Sequence, residues 1–127
     1  MMDSQAIERL GDELYRALRD FRTLEPLTDR ESDITIENAY HISLRMLSRR
    51  LEEDGEKVVG KKIGVTSKPV QDMLGVFQPD FGFLTDAMAY PDAAEIPVAG
   101  NLIAPRAEGE IAFRLNKDLI GPGVLSG

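Results

Sequence analysis

An α+β protein, with helices first and a largely β region after them, is predicted by three features of the sequence. Through Leu51 apolar residues recur every three or four positions, the period of a helix with one buried side. From Lys57 onward β-branched residues alternate with glycines and prolines that cut the chain into short extended pieces. The stretch APRAEGEIAFRL, 104–115, alternates like a strand: Glu108, Glu110 and Ala112 fall on one face, and Gly109, Ile111, Phe113 and Leu115 on the other.

The elements follow in order. From Asp3 to Arg22 the residues Ile7, Leu10, Leu14, Leu18 and Phe21 make one stripe, with Asp3 or Ser4 placed to cap the helix. Leu24 to Asp33, with Pro26 and no sustained period, reads as a loop. Thr35 caps a second helix whose stripe is Ile36, Tyr40, Leu44, Leu47 and Leu51, and which Gly55 ends. His41 lies beside that stripe and is assigned no role.

Lys57–Val65 is the first expected strand, and its glycines 60 and 64 mark places where a ligand or a second backbone comes close. Its adjacent Lys61 and Lys62 must point opposite ways. Thr66 or Ser67 caps a short helix that tolerates Pro69 in its first turn and ends at Gly75. Gln78–Gly82 reads as a turn, followed by short strands at Phe83–Leu84, Ala87–Tyr90, Glu95–Val98 and Leu102–Ile103. The sequence closes through Asn116–Asp118 and the turn Gly121-Pro122-Gly123 to Gly127, with little chain left to cover the apolar face of 104–115, so the β region is expected to be incomplete at its C-terminus.

Composition narrows the function. The 127 residues, 43% of them hydrophobic, suit one compact unit, with 1–56 its helical region and 57–127 its β-rich region. A formal charge of −7 argues against nucleic acid or an anionic membrane as partner, since both are bound through clustered Lys and Arg. With no cysteine there is no disulfide framework, thiolate nucleophile or Cys-based metal site. No run is long and apolar enough for a transmembrane helix, and residues 1–20 lack a signal-peptide core, so a soluble cytoplasmic protein is expected.

The two carboxylates of 104–115 are the sharpest chemical signal. Side by side on a strand they repel unless solvated or sharing a cation, and hard oxygen donors suit Mg²⁺ or Mn²⁺ over Zn²⁺. A polar face simply meeting water is the bland alternative. Lys62 on an edge strand is otherwise a solvated charge that discourages aggregation, and Asp80 after Pro79 is otherwise a turn residue bonding its own backbone. Ser67 and Thr66 are better explained as caps than as nucleophiles.

The segments GKKIGVTSKPVQDMLGVFQPDFGFLTDAM (60–88), PRAEGEIAF (105–113) and KDLIGPGV (117–124), with EPLTDR and TIENAY before them, resemble the 2-hydroxypenta-2,4-dienoate (2-oxopent-4-enoate) hydratases of the fumarylacetoacetate hydrolase superfamily. The resemblance spans essentially the whole chain but about the first half of such an enzyme. It implies a mixed, largely β fold of fumarylacetoacetate-hydrolase type, with 57–127 the first part of the catalytic region. It implies Glu108 and Glu110 as ligands of Mg²⁺ or Mn²⁺, Lys62 as the active-site lysine and Asp80 as an active-site acid. A third metal carboxylate belongs to a later strand of the family, beyond residue 127. The implied reaction adds water to 2-hydroxypenta-2,4-dienoate in meta-cleavage catabolism of aromatic compounds, by a cytoplasmic homo-oligomer with room for association with the decarboxylase of the same pathway.

In that chemistry Lys62 either neutralises the substrate carboxylate or, if burial lowers its pKa, shuttles a proton, and Asp80 orients or deprotonates water. Two other readings stand beside it: the related 2-oxo-3-hexenedioate (4-oxalocrotonate) decarboxylase, and a truncated, non-catalytic fragment or interaction module whose apolar strand faces are covered by a partner.

Overall fold

The fold is that of a computed structural model, which describes residues 2–121. Of the expected C-terminal turn, Pro122 and Gly123 lie outside the described residues, as do Val124 and the end of the chain at Gly127. The element order is α1 (Ser4–Arg19), α2 (Leu27–Arg30), α3 (Ile36–Glu53), β1 (Val58–Gly64), α4 (Lys68–Leu74), β2 (Asp80–Thr85) and a 3₁₀ turn (Asp86–Met88). It is an α+β arrangement.

Helix α1 starts where Asp3 accepts a hydrogen bond from the Ala6 N–H at 2.7 Å, meeting one of the donors a helix start leaves free. It ends at Arg19, short of the expected Arg22, because Phe21 takes a left-handed conformation with φ 52°. The expected loop 24–33 contains one helical turn, α2. Helix α3 begins with a capping box in which Thr35 and Asn38 each bond the other's backbone N–H at 3.1 Å. It stops at Asp54 and Gly55, the latter at φ 68°.

Helices α1 and α3 pack around Met2, Leu10 and Ile42, with Leu10 0% and Ile42 2% exposed and Ala6, Ile7, Leu14, Leu27 and Ile34 against them. Their backbones come close at Gly11, where a Cβ would lie 2.5 Å from the Arg45 Cβ and 2.9 Å from the Ile42 carbonyl oxygen. The expected α3 stripe is therefore divided. Ile42, one face over, meets α1, while Tyr40, Leu47 and Leu51 are half-buried and Ile36 and Leu44 are exposed. Ion pairs tie the helices together: Asp12 with Arg45 at 2.7 Å and Arg49 at 3.0 Å, and Glu13 with Arg30 at 2.9 Å.

The sheet is a single antiparallel pair, β1 and β2, joined through α4. Helix α4 follows Ser67 as expected, with Pro69 in its first turn and Gly75 left-handed at its end. Lys61 faces Phe83 and Ile63 faces Phe81, while Lys62 lies opposite Gly82 and Gly64 opposite Asp80. Since paired residues share a face and neighbours alternate, one face carries Lys61, Ile63, Phe81 and Phe83 and the other carries Lys62, Gly64, Asp80 and Gly82. From the first face Phe81 stacks on Tyr40 of α3 at 4.6 Å between ring centroids, and Phe83 meets the Phe81 ring edge-on at 6.2 Å.

Several expectations fail from Gln78 onward. Asp80–Gly82 are strand residues, not part of a turn, because Phe81 and Phe83 gain ring contacts that outweigh the local turn preference of a Pro-Asp pair. Ala87–Tyr90 begins in a 3₁₀ turn, and among the described residues Glu95–Val98, Leu102–Ile103 and 104–115 form no strand. A period of two says which side chains would share a face, but a strand exists only where a neighbour takes its backbone N–H and C=O groups. None does so for 104–115 among the described residues, and Ile111 and Phe113 stand 85% and 86% exposed.

Candidate active site

The face of the sheet turned away from Tyr40 carries the residues singled out by sequence. Lys62 projects from the middle of β1 because the strand's alternation sends Lys61 to the other face, where its Nζ lies 5.6 Å from the Phe83 ring centroid. Asp80 opens β2 beside Gly64, and the approach is close: a Cβ at position 64 would fall 2.6 Å from Asp80 Oδ1. Opposite Lys62, a Cβ on Gly82 would meet nothing within 4 Å. The glycines thus do two jobs, one admitting the Asp80 carboxylate and the other leaving space beside the lysine. The sequence flags Gly64 through the rule that a strand glycine marks close approach, while Gly82 falls in the segment it predicts as a turn.

Glu110 comes to this face from the irregular segment 104–115. Its Oε1 accepts a hydrogen bond from Lys62 Nζ at 2.6 Å, across 48 positions of sequence. That bond holds the Lys62 pKa above the ordinary lysine value; desolvation opposes it, and the charges of Glu110, Glu108 and Asp80 reinforce it. Lys62, Glu110, Glu108 and Asp80 therefore share one electrostatic neighbourhood. The expectation that burial could lower the Lys62 pKa is corrected: its side chain is 47% exposed, next to a carboxylate, and stays an ammonium ion.

The site is an open face and not a cleft. A cavity of about 440 Å³ lies elsewhere, between α1, α3, the chain around Thr23–Leu27 and Ile103. No group of three His, Cys, Asp or Glu side chains able to hold a metal occurs among the described residues. Glu108 and Glu110 remain a two-carboxylate set of hard oxygen donors. That suits a cation such as Mg²⁺, which is commonly held by one or two carboxylates and completes its octahedron with water and substrate oxygens.

No family model matches the chain. Among curated proteins it is 64% identical over 123 residues to a 2-hydroxypent-2,4-dienoate hydratase of Pseudomonas putida, covering 97% of this chain and 55% of that protein. It is 66% identical over 125 residues to a 2-hydroxyhexa-2,4-dienoate hydratase of Comamonas testosteroni, covering 98% of this chain and 47% of that one. Over nearly its whole length the chain is similar to 2-hydroxydienoate hydratases. It spans about half the length of the hydratases it matches. Among solved structures, a 4-oxalocrotonate decarboxylase from Pseudomonas putida G7, complexed with magnesium and adipate, shares the fold with a TM-score of 0.63 and 28% identity, over 68% of this chain and 33% of that one. A second structure of that decarboxylase is complexed with calcium and acetate. No helix among the described residues is long and apolar enough to cross a membrane.

Proposed function

We propose that this chain carries part of the active site of a divalent-metal-dependent hydratase that converts 2-hydroxypenta-2,4-dienoate to 4-hydroxy-2-oxopentanoate. The observation that carries the reading is its 64–66% identity, over nearly its whole length, with curated dienoate hydratases. The shared sheet face of Lys62 and Asp80, with Glu110 hydrogen-bonded to Lys62 at 2.6 Å, supports it. The 28% identity to the decarboxylase makes decarboxylation the weaker reading. On this account the fold is of fumarylacetoacetate-hydrolase type, with 1–56 a helical region and 57–127 the first part of the catalytic region. The protein works in the cytoplasm as a homo-oligomer, in the meta-cleavage breakdown of aromatic compounds.

Glu108 and Glu110 would hold the cation, Mg²⁺ or Mn²⁺, which supplies Lewis-acid stabilisation of negative charge on the substrate's 2-oxygen. Lys62, kept charged, pairs with the substrate carboxylate and fixes its orientation. In the first step the 2-hydroxyl proton leaves and a proton enters at carbon 5, giving the 2-oxo-3-enoate. Carbon 4 is then electrophilic by conjugation, and Asp80 orients the attacking water and takes its proton, so that hydroxyl ends on carbon 4 and hydrogen on carbon 3.

The test is to offer the chain 2-hydroxypenta-2,4-dienoate and 2-oxo-3-hexenedioate in separate reactions with Mg²⁺ or Mn²⁺. Formation of 4-hydroxy-2-oxopentanoate from the first, without carbon dioxide from the second, is expected. Carbon dioxide release would favour the decarboxylase. Self-association without turnover would favour the interaction module, toward which the exposed Ile111 and Phe113 point.

A further inference from the structure

We infer that Lys62 is the resident counter-ion of Glu110 when no metal is bound, so that a divalent cation and the lysine ammonium compete for the same carboxylate. The inference rests on the reading of Glu108 and Glu110 as cation ligands and adds an order of events to it.

Three observations support it. Lys62 Nζ sits 2.6 Å from Glu110 Oε1, the distance of a direct charge-assisted hydrogen bond. Segment 104–115 has no ladder bonds among the described residues, so this contact, and not strand pairing, is what draws Glu110 to β1. Lys61 carries the same charge one residue away yet faces Phe83, so the pairing belongs to one lysine and not to the general charge of the strand.

A dication held by the Glu110 carboxylate would stand within a few ångströms of the ammonium, and the two would repel. The ammonium must then leave, and its flexible four-carbon stem lets it swing without moving β1. Once displaced, it is a free cation beside the carboxylate pair, placed to receive the carboxylate of an incoming 2-oxo acid. Cation binding therefore precedes and prepares anion binding, and the displaced Lys62 acts as a positioning charge for the anion.

The experiment is a direct Mn²⁺ titration of the wild-type chain and of the Lys62→Met, Lys62→Arg and Lys61→Met variants, followed by the electron paramagnetic resonance signal of free Mn²⁺. All the substituted side chains are exposed, and circular dichroism confirms that each variant is folded. Exposed ion pairs change equilibria by roughly two- to fivefold, so Lys62→Met is expected to bind Mn²⁺ tighter than Lys61→Met by about that factor. Lys62→Arg, which keeps the charge and the reach, should behave as wild type. In a Glu110→Gln background the advantage of Lys62→Met should vanish. Equal effects of Lys62→Met and Lys61→Met, or an advantage that persists without Glu110, would overturn the inference while leaving the cation site standing. Failure of every chain to bind Mn²⁺ would remove the ligand reading and the inference together.

Discussion

Replacing Gly11 with alanine sets two effects of opposite sign against each other, and the structure says which wins. In an isolated helix the change is favourable by about 1 kcal/mol, because glycine is the poorer helix former. Here the new methyl would lie 2.5 Å from the Arg45 Cβ and Cγ and 2.9 Å from the Ile42 carbonyl oxygen. Carbon atoms in contact sit about 3.5–4.0 Å apart, so the shortfall is about 1 Å. Arg45 Cγ can rotate away, but its Cβ and the Ile42 backbone cannot. The helices must part, loosening the contact of Leu10 with Ile42 and stretching the 2.7 Å Asp12–Arg45 ion pair. A clash of this size against a Cβ and backbone takes the upper part of the usual overpacking cost, about 2–3 kcal/mol, leaving a net loss of about 1–2 kcal/mol after the propensity gain. Thermal unfolding followed by circular dichroism should show a midpoint lowered by roughly 5–10 °C. A midpoint unchanged or raised would refute the close crossing of α1 and α3.

Other outcomes follow from the same structure. Thr35→Ala removes one half of the capping box and should destabilise α3 by about 1 kcal/mol, read as a shift in urea midpoint at unchanged slope, with Thr35→Ser close to wild type. The hydrogen bond from Arg45 holds the Asp12 pKa below its ordinary 3.8 against some desolvation, and Arg30 holds Glu13 below 4.5 in the same way. Both carboxylates therefore bind protons more weakly folded than unfolded. Their contribution is complete above about pH 5 and is lost as pH falls through the depressed folded values. Urea midpoints measured from pH 6 down to pH 3 should fall, and fall less in an Asp12→Asn, Glu13→Gln double variant.

Much of the helical half is legible locally, since Thr35, Gly55 and the spacing of Leu10 and Leu14 act within a turn or two of themselves. The sheet is legible in part. KVVGKKIGV carries its own strand signal and forces Lys61 and Lys62 apart, whereas Asp80–Gly82, the start of β2, reads as a turn until Tyr40, some forty positions earlier, supplies a ring for Phe81. The segment 104–115 shows the limit from the other side, since its alternation is real but a ladder partner is a property of the surrounding chain. The candidate site divides the same way. The residue types of Lys62, Asp80, Glu108 and Glu110 announce hard-cation and acid–base chemistry, but the bond between Lys62 and Glu110 joins residues 48 positions apart and leaves no local mark. Likewise the closeness of Asp80 to Gly64 depends on strand register, which the turn reading of Gln78–Gly82 concealed.

We propose that Glu108 and Glu110 form, on this chain, a cation site that a 2-oxo acid completes. It is tested most directly by thermal unfolding of the chain with Mg²⁺, with oxalate as a mimic of the chelating substrate, and with both. A ligand that binds only the folded state must stabilise it, by about 2.7 kcal/mol at a hundred times its dissociation constant. A cooperative transition should rise most when both are present and rise less in Glu108→Ala. A transition that stays in place, or moves equally in Glu108→Ala, would contradict it.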